Sequence, residues 1–158
     1  MTIETGFSHA AQALLWPVMA LLALAFVFAL WAGGATLMEA WQRRRRAGFA
    51  TLAAAPAWPE TPMEELELFV VRRLEPVRLL SRVSPMLGLI ATMIPLGPAL
   101  QAVAGGQGQQ ALAVFSGAFA GVTLALAAAA IGLAVYSVRR HWLLAELLAV
   151  RKARGVAQ

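Results

Sequence analysis

The run VSPMLGLIATMIPLGPALQAVAGGQGQQALAVFSGAFAGVTLALAAAAIGLAVYSV, from Val83 to Val138, contains no Asp, Glu, Lys or Arg. As a single helix rising about 1.5 Å per residue it would be on the order of 80 Å long. The hydrocarbon core of a bilayer is about 30 Å thick and takes roughly 20 apolar residues as a helix. The run must therefore cross, turn and cross again. Gly105-Gly106-Gln107-Gly108-Gln109-Gln110 is the polar, flexible break at which it turns.

A second charge-free stretch lies between Glu4 and Glu39 and fits one further span. The composition agrees: 60% of the 158 residues are hydrophobic and 13% charged, whereas a soluble domain carries roughly a quarter charged residues. A single core of this size cannot hide so much apolar surface, so the surplus must face lipid. The predicted fold class is an all-α membrane protein. Its three transmembrane helices span 13–38, 84–104 and 111–138, with an amphipathic helix at 62–82 inside the 39–83 segment.

Charge placement orients the spans. Residues 1–12 and the 105–110 turn contain no Lys or Arg. All thirteen positive charges fall in the 39–83 segment (Arg43 to Arg46, Arg72, Arg73, Arg78, Arg82) or in the 139–158 tail (Arg139, Arg140, Arg151, Lys152, Arg154). The positive-inside rule makes that side cytoplasmic. The expected location is a bacterial-type inner membrane, with the N-terminus periplasmic and the C-terminus cytoplasmic. A cleaved signal peptide is the rival reading of the first span. It calls for a basic leading segment and a short apolar core, and residues 1–38 have neither.

Trp16 and Trp41 are placed to sit near the two interfaces of span one, and Pro17 can start or bend its helix at low cost. Arg43 to Arg46 read first as a stop-transfer signal, with specific binding of anionic lipid as the alternative. Residues 47–61 read as a loop punctuated by Pro56 and Pro59, with Pro62 following. Thr61-Pro62-Met63-Glu64 has the form of a capping box. The helix it opens has an apolar stripe of Leu66, Phe69, Val70, Leu74 and Val77, and Pro76 is expected to kink it. Such a helix lies on the membrane surface or packs with neighbouring subunits.

Pro95 and Pro98 free backbone carbonyls in mid-membrane, which is tolerated where they face protein or a hydrated cavity. Span two is therefore expected to be an interior, pore-lining helix, with Gly88 among its small residues. Span three divides by helical angle. Ser116, Ala120, Thr123, Ala127 and Ala130 share one face; Gly117, Gly121, Ala125, Ala128 and Gly132 form a second, small-residue face. Gly117 and Gly121 have the G-x-x-x-G spacing that lets helix backbones approach closely. The Ser/Thr face either lines a channel or merely bonds its own backbone, and spacing alone favours the second.

Other chemistries find little support. The absence of Cys excludes disulfides and thiolate metal sites. His9 and His141 stand apart with no acid or histidine at ligand spacing, which reads as interfacial rather than metal-binding. The net charge of +5 suits juxtamembrane anchoring better than nucleic acid. With no nucleophile–base pair, metal cluster or phosphate loop, neither an enzyme nor a cofactor is expected.

Ser84-Pro85-Met86-Leu87-Gly88-Leu89-Ile90-Ala91-Thr92 resembles the entry to the second span of the MotA/TolQ/ExbB proton-channel family. The third span, with Thr123 among small residues ahead of an Arg-rich exit, is similar to the other half of that signature. The resemblance covers about residues 66–147. It implies a homo-oligomer, a pentamer, whose second and third helices surround a pore. An ExbD/TolR-like single-span partner carrying a membrane Asp stands inside, and proton flow drives work across the periplasm. Thr92 and Thr123 match the family's pore-facing threonines. Ala118 stands where a Glu is often found, Ala91 replaces a usual Gly, and Pro95 and Pro98 are additional. The chain thus resembles a divergent, short member.

An intramembrane proton relay normally needs an ionisable side chain, and no span here contains Asp, Glu, Lys or Arg. The carboxylate is therefore expected from another subunit, with Thr92, Thr123 and Ser116 along the proton path. Gly88, Pro95, Pro98, Gly117 and Gly121 are expected to set packing and pore shape. The alternative is a non-conducting subunit that scaffolds a transporter or membrane enzyme.

Overall fold

The computed structural model describes residues 2–45 and 61–155, and these form three helices: α1 (Thr2–Arg45), α2 (Met63–Ala104) and α3 (Gly108–Ala153). All three are long and apolar enough to cross a membrane. The predicted loop with Pro56 and Pro59, together with Arg46, lies outside the described residues, as does the side chain of His9.

The outer surface is what a lipid solvent requires. Trp16, Leu24, Val27, Trp31, Leu37, Leu89, Met93, Phe119 and Leu126 are all exposed, Leu37 by 73%. In water such a surface would drive aggregation; between acyl chains it costs nothing.

The interior is lined by regularly spaced residues. On α3 the buried positions are Ala111, Ala118, Gly121, Ala125, Ala128, Gly132, Val135 and Leu143. From Ala118 to Val135 they alternate steps of three and four residues, which keeps one seam in line along a helix of about 3.6 residues per turn. On α1, Val18, Leu22, Ala29, Ala32 and Thr36 follow a compatible rhythm. Thr36 is buried without penalty because its hydroxyl donates to the Ala32 carbonyl at 2.8 Å.

Small residues on these seams bring the backbones together, and dispersion contacts then hold them, since lipid provides no hydrophobic drive. A Cβ added at Gly88 would stand 2.6 Å from the Ala125 Cβ, closer than carbon atoms can pack. One at Gly121 would meet the Met19 Sδ at 3.4 Å and the Ala91 Cβ at 3.5 Å. One at Gly132 would meet the Leu80 Cδ2 at 3.1 Å, and one at Gly33 the Ile131 Cγ2 at 3.3 Å. α2 and α3 make the most extensive pair, and α1 lies against both.

The α2–α3 connection is short because its hydrogen bonds close it tightly. Gly106 has φ 74°, a left-handed conformation that glycine adopts freely. The Gln107 N–H donates to the Ala102 carbonyl at 2.8 Å and the Gly106 N–H to that of Val103 at 3.0 Å, a Schellman end to α2.

α2 and α3 run beyond the predicted spans. Pro62 is the N-cap of α2, with no side-chain cap hydrogen bond, and the Thr61 carbonyl accepts from Arg154 Nη1 at 2.6 Å. The stretch beginning at Met63 continues unbroken through Pro76 and Pro85 to Ala104 as one helix. The residues after Val138 continue α3 to Ala153. The reason is packing. Leu66, Val70 and Leu74 of α2 enclose Leu143 of α3, with Phe69, Tyr136, Leu147 and Val150 around them. The apolar stripe is thus buried within the chain, against α3.

Candidate functional site on the outer α2–α3 face

The antiparallel register of α2 and α3 sets the level of each polar side chain. Gly88 lies opposite Val122 and Ala125, and Ala91 opposite Gly121. Thr92 and Thr123 flank this contact, within about 5 Å of one level along the axis at 1.5 Å per residue. α1 meets the opposite flank, where Val18 and Leu22 pack on Ala91 and Ala125. At about 100° per residue, Thr123 points nearly opposite to Gly121 and Ala125. Thr92 is half-buried and Thr123 exposed, and both lie outside the cluster in which Ala91 and Ala125 pack on α1.

Each hydroxyl has a partner on its own helix. Thr92 Oγ1 donates to the Leu89 carbonyl at 2.8 Å, and Thr123 Oγ1 to the Phe119 carbonyl at 2.8 Å. Such bonds satisfy the donor in an apolar medium and leave the hydroxyl's lone pairs open outward. Ser116, about two turns from Thr123, is exposed on the same face.

The remaining candidates separate. Gly88 and Gly121 sit in the helix contacts, whereas a Cβ at Gly117 would meet nothing within 4 Å. Of the G-x-x-x-G pair, Gly121 alone packs against another helix among the described residues. Pro95 is half-buried and Pro98 exposed, both inside α2. Without N–H groups they leave the carbonyls four residues earlier, at Ala91 and Ile94, without their usual helix donors. Ser84 is 1% exposed, and its Oγ has no hydrogen-bond partner among the described residues.

Sequence reasoning missed a layer of ion pairs at the Arg-bearing end. Glu39 of α1 faces Arg139 of α3 at 3.4 Å and Arg73 of α2 at 3.8 Å, so one carboxylate ties three helices. Arg43 pairs with Glu146, and its guanidinium lies 4.7 Å from the Trp142 ring centroid. Arg45 covers Trp41 at 3.9 Å. A usable signal was present, because Glu39 and Glu146 are single acids set among arginines near helix ends. Arg43 and Arg45 are thus engaged by protein groups.

Among the described residues no cluster of three His, Cys, Asp or Glu side chains is placed to hold a metal. His141 is exposed. No protein-family model, curated protein or solved structure matches the chain.

Proposed function

We propose that this chain is the channel-forming subunit of an inner-membrane complex that uses the proton motive force, similar in kind to the MotA/TolQ/ExbB proteins. The observation that carries the reading is the placement of Thr92 and Thr123. They stand at nearly one level of the α2–α3 pair, outside the cluster that packs on α1. In this reading a ring of copies, five as in the family, turns these faces toward a central single-span partner. Each span lacks Asp, Glu, Lys and Arg, so the partner's membrane Asp takes and releases the proton. The threonine hydroxyls hydrogen-bond that carboxylate, or a water beside it, and so tune its pKa. α1 then stands on the lipid side, and the Arg-bearing end faces the cytoplasm.

The test is proton flux in proteoliposomes containing the chain and its single-span partner. A hydrogen bond to a charged group is worth about 1.5–3 kcal/mol, so Thr92→Val with Thr123→Val is expected to reduce flux by roughly tenfold or more. The oligomer's native mass is expected to stay the same. Full flux in the double variant would sink the proposal.

A second reading, a non-conducting scaffold, draws on one observation: both hydroxyls already bond their own backbone. It expects no flux from any partner complex and a co-purifying transporter or membrane enzyme.

A further inference from the structure

Where α2 and α3 leave the apolar layer, their outer face opens into a groove of about 750 Å³. Arg78 and Arg82 reach it from α2 and Arg140 from α3, with Ser81 and Tyr136 between them. Leu126, Ala130 and Leu133 line its other part, and all three belong to the charge-free run. A second hollow of about 370 Å³ shares Leu133, Tyr136 and Arg140 and extends the groove toward His141.

These arginines differ from those deeper in the structure. Arg43, Arg73 and Arg139 meet Glu39 or Glu146, whereas Arg78, Arg82 and Arg140 make no ion pair among the described residues. Glu75, about one turn before Arg78, neither lines the groove nor pairs with its arginines. Three guanidinium groups together at the edge of an apolar layer repel one another and call for an anion.

We infer that this groove binds the phosphate of an anionic phospholipid, with the arginines on the headgroup and an acyl chain along Leu126, Ala130 and Leu133. Charge complementarity fixes the sign of the ligand. The apolar wall selects a lipid over a free anion, because inorganic phosphate would use the arginines and leave that wall exposed. The inference requires only that the helices span a bilayer; in the proton-channel reading the lipid would take the Arg-bearing end of the outer face, below the level of Thr92 and Thr123 that faces the partner.

Native mass spectrometry of the detergent-purified chain with added phosphatidylglycerol or phosphatidylcholine tests it. Phosphatidylglycerol is expected to be retained and phosphatidylcholine lost. Each arginine near an anionic lipid contributes about a fivefold factor, so Arg78→Gln, Arg82→Gln and Arg140→Gln together are expected to weaken binding roughly a hundredfold. Arg44→Gln, Arg72→Gln and Lys152→Gln remove the same charge outside the groove, and are expected to leave retention nearly unchanged. Arg82→Gln alone, expected to cost about fivefold, provides the reading if circular dichroism shows the triple variant unfolded. Equal loss in both triple variants would overturn the site, as would equal retention of the two lipids. Displacement of the lipid by millimolar inorganic phosphate would reassign the groove to a free anion. If the groove variants broke an oligomer without any phosphatidylglycerol binding, the arginines would belong to a second copy's carboxylates, and the inference would fall.

Discussion

The two faces of α3 are built from nearly the same residues and meet different fates. Gly121, Ala125, Ala128 and Gly132 are buried against α1 and α2, while Ser116, Ala120, Thr123 and Ala130 are exposed. Small size alone does not mark an interior. Both faces repeat in steps of three and four residues; what distinguishes the inner face is its match to small residues on the partner helices, as where Gly88 meets Ala125 and Ala91 meets Gly121. The outer face has two hydroxyl residues and no packing partner among the described residues. One face closes the protomer, and the other is left for something else.

The comparison breaks most sharply at Gly88. Gly88→Ala places a methyl 2.6 Å from the Ala125 Cβ, and is expected to cost about 3 kcal/mol of unfolding free energy in detergent. Adding Ala125→Gly to the same chain should restore most of the loss; no recovery would mean that the contact is not the cause. Next is Glu39→Gln, which leaves Arg139 partly buried opposite a neutral amide. Its expected cost is about 2 kcal/mol, between the values for exposed and buried ion pairs, and the same unfolding measurement reads it. Gly132→Ala meets the flexible end of Leu80 most closely, at 3.1 Å, with the Ser81 Cβ at 3.5 Å. A loss of about 1 kcal/mol is expected there. On the opposite side of the comparison, Gly117→Ala meets nothing within 4 Å. It should leave protomer stability unchanged or raise it by up to about 1 kcal/mol through helix propensity. A large loss at Gly117 in the assembled state, with none in the protomer, would place a second copy against it.

Much of this architecture is legible in the sequence because hydropathy and spacing are local properties. The charge-free runs give the three helices, and the Gly105–Gln110 break gives the turn. The packing face of α3 is also readable, except at one end. Gly117 precedes Gly121 by four residues, which overshoots a helical turn by about 40°. Ala118, three residues before Gly121, holds the seam instead. The motif alone cannot show this, because the direction of drift depends on how the helices cross. The acids set among arginines were visible in the sequence, but which arginine each one meets was not, for a similar reason. Glu39 and Arg139 are a hundred residues apart, and only the parallel register of α1 and α3 brings them together. The stripe from Leu66 to Val77 was legible as apolar, but its partner was not, since the continuation of α3 to Ala153 carries it.

The closed turn at Gly105–Gln107 also bears on how the protein is made. α2 and α3 are joined by so few residues that neither can cross the membrane far ahead of the other, so they enter as a hairpin. From Val83 to Val138 that hairpin has no formally charged side chain. Its passage therefore moves no side-chain charge through the transmembrane field, where each elementary charge is worth about 2.3 kcal/mol per 100 mV. Insertion of this half of the molecule is governed by apolar partitioning, and the arginines at both of its ends hold it once it has arrived.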